Sequence, residues 1–140
     1  QTFQDMDRLL ITNIGYSPSQ GDVVVVDVTH NLQQLGHTKG APYIKRVIAT
    51  EGQIVDIDPM TWTVYVDGKA IDEPYVYKCN PYEMHKGRMK YPYTVPEGCV
   101  FVMGDNRNGS SDSRDIGAIE TKYILGKVYF RIFPNTGVIK

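Results

Sequence analysis

Gln53-Ile-Val-Asp-Ile57, then Asp58-Pro-Met60, then Thr61-Trp-Thr-Val-Tyr-Val66 is the stretch on which the fold turns. Apolar and polar side chains alternate on both sides of the Asp-Pro-Met break. That period of two puts one face of an extended chain on a core and the other toward water. Asp and Pro supply the turn, so the two runs predict a β-hairpin. Asp67-Gly68 closes the second run with a pair suited to a tight turn. Outward from this hairpin, Asp22-Val-Val-Val-Val-Asp-Val28 is too short and too β-branched for a helix. Tyr43-Ile-Lys-Arg-Val-Ile48, Cys99-Val-Phe-Val-Met103 and Gly126-Lys-Val-Tyr-Phe-Arg-Ile132 read as strands on the same grounds. Helical spacing is expected only over residues 116–123 and 1–10. Strands dominate, which predicts an all-β fold, either a folded-over sheet or a barrel-like sandwich.

The chain has 140 residues, enough for one domain with a real core. Apolar residues make up 41% and charged residues 22%, which excludes a disordered composition. Fifteen Lys and Arg against sixteen Asp and Glu leave a net charge of −1, so no nucleic-acid partner is expected. No apolar run approaches the length of a membrane span, and no secretory leader is seen at the N-terminus. Two cysteines cannot make a four-ligand zinc site, and His30, His37 and His85 are dispersed, so no metal or cofactor is expected. Residues 72–97 carry four prolines and no alternation, and read as an irregular excursion from the β core. Five of the ten tyrosines fall between Tyr75 and Tyr93, a pattern that suits a surface loop or an interface.

Two segments carry chemistry. Gly104-Asp-Asn-Arg-Asn-Gly-Ser-Ser-Asp-Ser-Arg114 follows a strand and holds no apolar side chain. Its Asp-x-Arg spacing occurs twice, at Asp105/Arg107 and Asp112/Arg114, so the loop can lock itself through ion pairs and mount a functional group. In the other segment, Lys45 and Arg46 interrupt an apolar strand and point to opposite faces. An inward lysine either snorkels to the surface or loses its proton through desolvation and becomes a base near neutral pH.

Four segments together resemble the type I signal peptidases, the membrane-bound Ser/Lys proteases of bacterial secretion. Asp7-Arg-Leu-Leu-Ile11 resembles the end of the nucleophile motif Ser-Met-x-Pro-Thr-Leu-x-x-Gly-Asp-Arg. Gly21-Asp-Val-Val-Val-Val26 resembles a Gly-Asp-(Ile/Val)-Val-Val strand, and Tyr43-Ile-Lys-Arg-Val-Ile48 the strand with the general-base lysine. The 104–114 segment resembles Gly-Asp-Asn-Arg-Asp-Asn-Ser-x-Asp-Ser-Arg at every defined position except Asn108 and Gly109. A second departure is Ala49-Thr-Glu-Gly-Gln53, where the family reads Gly-x-Pro-Gly-Asp. By this register the nucleophilic serine and the membrane anchor are expected upstream of Gln1, and the chain as it stands is expected to be inactive.

The resemblance implies folded-over antiparallel sheets with short helices, residues 1–140 forming one catalytic domain, and removal of signal peptides from preproteins at the outer face of the cell membrane. It implies Lys45 as general base, Ser110 as the residue that orients it, Asp112 and Arg114 as support, and Arg46 with Asp105 as a second brace. Phe3, Leu9, Tyr43 and Ile44 match pocket-lining positions beside an added substrate strand. The membrane surface is an implied partner, with the Tyr75–Tyr93 stretch a candidate contact. An extracytoplasmic site would permit a Cys79–Cys99 disulfide worth about 3 kcal/mol, and both the paired and the free form stay open. A catalytically silent domain that binds peptides or partners is the alternative. A self-cleaving repressor-type Ser/Lys protease has less support, since no DNA-binding segment is present.

Overall fold

A computed structural model describes residues 8–36, 40–78, 81–133 and 137–139. The elements are β1 (Arg8–Thr12), β2 (Val23–Val26), α1 (Thr29–Gln34), β3 (Tyr43–Thr50), β4 (Ile54–Asp58), β5 (Thr63–Val66), β6 (Lys69–Ala70), β7 (Tyr93–Thr94), β8 (Cys99–Met103), α2 (Ser113–Ile116), β9 (Ile119–Glu120), β10 (Ile124–Phe133) and β11 (Gly137–Val138). The strands form two antiparallel sheets. The larger runs β1-β10-β2-β3-β8-β9, with β11 also on β10, and the smaller runs β6-β5-β4-β7.

The expected hairpin is β4–β5, with Val55 opposite Val66 and Asp58 opposite Thr63. Asp67 and Gly68 take φ of 50° and 78° and turn the chain directly into β6. The buried side of this small sheet is the alternating set Val55, Ile57, Val64 and Val66. They meet Ile48, Ala49, Phe101 and Met103 of the large sheet, together with Met84 and Val95. The opposite face of the large sheet holds a second core of Val24, Val26, Val47, Val100, Val102, Ile116 and Ile119. Strand β8 is therefore covered on both faces, which is why Val100 to Met103 form an unbroken apolar run. Each fully buried aliphatic side chain here contributes on the order of 1.5–3 kcal/mol.

A bulge in β3 lies between Val47 and Ala49. It sends Val47 to one core and both Ile48 and Ala49 to the other. The Ile48 carbonyl accepts a hydrogen bond from the Gln20 side chain at 2.9 Å. The turn after β3, where Ala49-Thr-Glu-Gly-Gln53 departs from the family, is closed by Gln53 Oε1, which accepts from the Thr50 amide at 2.9 Å.

The helix expected over 116–123 is corrected, as is the end of the one expected over 1–10. Residues 116–123 do not form one: α2 stops at Ile116, Gly117 adopts φ 81°, and Ile119-Glu120 pairs with β8 before a 3₁₀ turn at Thr121–Tyr123. Pairing with Cys99 and Val100 outweighs the weak helical spacing of Ile116, Ile119 and Tyr123. In the other, residues 8–10 belong to strand β1, paired to β10, and residues 1–7 lie outside the described set. The short helix α1 was not expected. Its only aliphatic side chain is Leu32, so it has no periodicity to read, and buried Asn31 fixes it by donating to the carbonyls of Ile116 and Ala118, each at 3.0 Å.

Candidate active site

Strand β3 pairs with β2 over Tyr43 to Arg46 and with β8 only from Arg46 onward. Lys45 therefore stands near the end of β8, where the chain leaves the sheet as the 104–114 loop. The loop folds back so that the Lys45 amine donates to Ser110 Oγ at 2.8 Å. Burial is the main force lowering the Lys45 pKa below its ordinary value. Asp112 pushes it back up, Arg114 pushes it down, and Asp105 pushes it up. No carboxylate touches the amine among the described contacts, and the Tyr43 ring centre lies 4.9 Å away on the same face. The amine is thus held by a neutral hydroxyl in a desolvated position, the condition for a lysine to act as a base.

Gly104 makes this approach possible. A Cβ there would collide with Ser110 Cβ and Oγ and lie 3.6 Å from Lys45 Nζ. The Gly104 amide donates to Asp112 Oδ2 at 2.8 Å, and its carbonyl accepts from Arg107 Nε at 3.1 Å.

The loop is locked by three forks between arginine and a carboxylate. Asp112 and Arg114 are both fully buried and pair in two-pronged fashion at 2.8 and 2.7 Å. Asp112 also caps α2, and the third arm of Arg114 donates to the His85 carbonyl at 2.6 Å. Arg46 reaches Asp105 at 2.9 and 2.8 Å, donates to the Gly21 carbonyl at 2.9 Å, and is covered by the Tyr75 ring at 3.7 Å. Asp105 and Arg107 do not pair with each other. Arg107, fully buried, instead grips both oxygens of Glu73, with Nη1 to Oε2 at 2.9 Å.

Described residues of the 72–97 stretch pack against this loop. Tyr77 donates its amide to the Asp105 carbonyl at 2.8 Å. Asn108 accepts from the His85 amide at 2.7 Å and donates to the Glu83 carbonyl at 3.0 Å. An aspartate at this position could accept but not donate, so the departure from the family motif serves this contact. Arg88 and Met89 donate amides to the Arg114 carbonyl. Gly87 lies so close to that carbonyl that a Cβ would collide with it, and its φ of 72° also excludes most side chains.

The structure brings together Lys45, Ser110, Asp112, Arg114, Arg46, Asp105 and Tyr43. Ile44 alternates to the face opposite Lys45. Leu9 lies on β1, separated from β3 in the sheet order by β10 and β2, and its side chain is outside the described set. Phe3 and Cys79 also lie outside it. Sequence reading missed Glu73, Asn108 and Gly87. The available signal was Arg107, a cation in an apolar-flanked loop whose nearest acid, Asp105, is taken by a different strand. Tyr75 was expected at the surface, but it is half-buried against Arg46 and its hydroxyl donates to Glu73 at 3.1 Å, while Tyr82 is well exposed.

Two antiparallel sheets carrying a desolvated lysine on a serine hydroxyl define a mostly-β protein with a lysine-centred site. Residues 1–133 match the model of the family described as "Signal peptidase, peptidase S26", and the chain belongs to that family of serine endopeptidases. It is similar to the probable signal peptidase I-1 of Synechocystis sp., 38% identical over 136 residues, covering 95% of this chain and 65% of that protein. It is similar also to signal peptidase I of Bacillus licheniformis, 37% identical over 148 residues, covering 99% and 74%. The crystal structure of a signal peptidase I from Enterococcus faecalis V583 superposes with a TM-score of 0.60 at 26% identity, over 80% of this chain and 97% of that one. The chain spans 65% of the length of the Synechocystis relative.

Proposed function

We propose that the protein is a membrane-associated serine endopeptidase that removes signal peptides from secreted preproteins, with Lys45 as general base and residues 1–140 as its catalytic domain. The observation that carries this is the partly buried Lys45 amine, partnered by a hydroxyl instead of a carboxylate. A neutral amine that donates one N–H to Ser110 keeps its lone pair free for a proton from the nucleophile. It takes the serine proton during acylation and a water proton during deacylation. The motif register of Asp7-Arg8 sets that serine upstream of Gln1 in the whole protein. Ser110 orients the amine, while the Asp112–Arg114 and Arg46–Asp105 forks hold the two segments that carry the dyad partners.

Substrate adds as a strand along Tyr43 to Lys45, whose side facing away from β2 has no strand partner among the described residues. The lipid surface is met by exposed apolar side chains of the β1–β10–β11 edge, including Leu10, Ile14, Leu125 and Val138. No helix among the described residues is long and apolar enough to cross a membrane. Leu10→Ser with Ile14→Ser should weaken association with anionic lipid vesicles, and unchanged binding would remove that surface from the account.

The whole protein should cleave a preprotein after its signal sequence. Lys45→Ala should abolish cleavage, a loss of at least the 10²–10⁴-fold roughly typical of positioned proton transfer. Retained cleavage in Lys45→Ala would reject the base. Absence of cleavage by the unmodified whole protein would favour a silent peptide-binding domain.

A further inference from the structure

The Gly104 peptide is the wall of the lysine site, and it is held from both sides. Asp112 takes its amide and Arg107 its carbonyl. Asp112 lies within the loop and has its own cation. Arg107 depends on a residue from elsewhere in the chain, because Asp105 is committed to Arg46. That residue is Glu73, at the start of the irregular stretch that follows β6, with its side chain almost wholly buried against a fully buried guanidinium. Tyr75, two residues on, covers Arg46 and donates to the same Glu73 carboxylate.

We propose that Glu73 is a positioning residue of this site: it holds Arg107, Arg107 holds the Gly104 carbonyl, and the Gly104 peptide sets Ser110 against Lys45. The charges that weigh most on Lys45 are those of Asp112, Arg114 and Asp105, so Glu73 acts on it mainly through geometry. The inference takes Lys45 as the working group, as proposed above. Its test reads the protonation of the lysine and no catalysis, so the two stand or fall separately.

Geometry and field move Lys45 in opposite directions. Removing the Glu73 charge by field alone leaves the lysine in a more positive surrounding and lowers its titration midpoint. Loosening the Gly104 wall admits water to the amine and raises the midpoint toward the ordinary 10.5. The 140-residue chain with ¹³C-labelled lysine is titrated by NMR, with the Lys45 Cε signal identified by its loss in Lys45→Arg. Glu73→Gln should raise the Lys45 midpoint by about half a pH unit or more. Glu73→Gln combined with Arg107→Met leaves no unpaired buried charge and should raise it in the same direction. If Glu73→Gln alone does not fold, the double variant decides. An unchanged or lowered midpoint, with or without a lower melting temperature, overturns the proposal.

Discussion

Arg46 and Lys45 stand side by side on β3, and the two faces of that strand complete them differently. Arg46 is fully buried and fully answered, by Asp105, by the Gly21 carbonyl and by the Tyr75 ring. Lys45 is desolvated too, but its close partner is a serine hydroxyl, and its nearest opposing charges are balanced in part by Arg114. An arginine cannot shed its proton, so its face must supply a counter-charge. A lysine can, so burial without a counter-charge favours loss of the proton and frees the amine's lone pair. One face of β3 pairs its cation with a carboxylate, and the other leaves its amine on a hydroxyl, as the proposed base requires. The 104–114 loop serves both, with Asp105 at one end and Ser110 with Asp112 at the other.

The largest effects should come from breaking the answered cations. Asp112→Ala leaves Arg114 buried and unpaired and should cost about 3–5 kcal/mol in denaturant unfolding; Asp105→Ala should cost about the same through Arg46. Asp105→Leu with Arg46→Met, which removes both charges, should recover most of that loss. If the double change costs as much as the single one, the fork is not what makes that face rigid.

Gly104→Ala comes next. The added methyl meets Ser110 and the lysine head, so it should destabilise by about 1–3 kcal/mol. It should also displace the Lys45–Ser110 contact, read as an altered Lys45 titration. Destabilisation with an unchanged titration would separate the wall from the site.

The smallest effect has the opposite sign. Lys45→Met should stabilise the chain at pH 7 by about 0.5–2 kcal/mol, as expected where function is held at the expense of stability. The pH dependence follows from the lowered Lys45 pKa. Below the folded midpoint both folded and unfolded lysine carry the proton, and the burial cost is fully present. Between that midpoint and 10.5 the unfolded chain holds more protons than the folded one, so the wild type gains stability as pH rises. The advantage of Lys45→Met should therefore shrink as the pH of paired unfolding curves is raised. A constant or growing advantage would contradict a desolvated lysine.

The difference between the faces also explains what could be read from the chain. Alternation made the β4–β5 hairpin legible, and the doubly covered β8 showed as an unbroken apolar run. The two-residue strands β6, β7, β9 and β11 have too few residues to show a period, and Ile119-Glu120 becomes a strand only because β8 is beside it. In the site, Lys45, Ser110 and the Asp112–Arg114 fork were legible because they fall inside contiguous motifs. Asp105 and Arg107, spaced as a pair, each take a partner from a distant segment, and spacing within one loop does not report that. Glu73, Asn108 and Gly87 were hidden for the same reason. Their roles exist only once Glu73, Glu83, His85 and Gly87 lie against the loop.

As the proposed base, Lys45 should give up its proton more readily than an exposed lysine. The most direct test of this is the titration of the Lys45 amine in the unmodified 140-residue chain by ¹³C NMR. The midpoint should lie clearly below the ordinary 10.5, with the Lys45 signal separated from the exposed lysines. A midpoint at or above 10.5 would mean that the amine keeps its proton on Ser110 and cannot serve as the base.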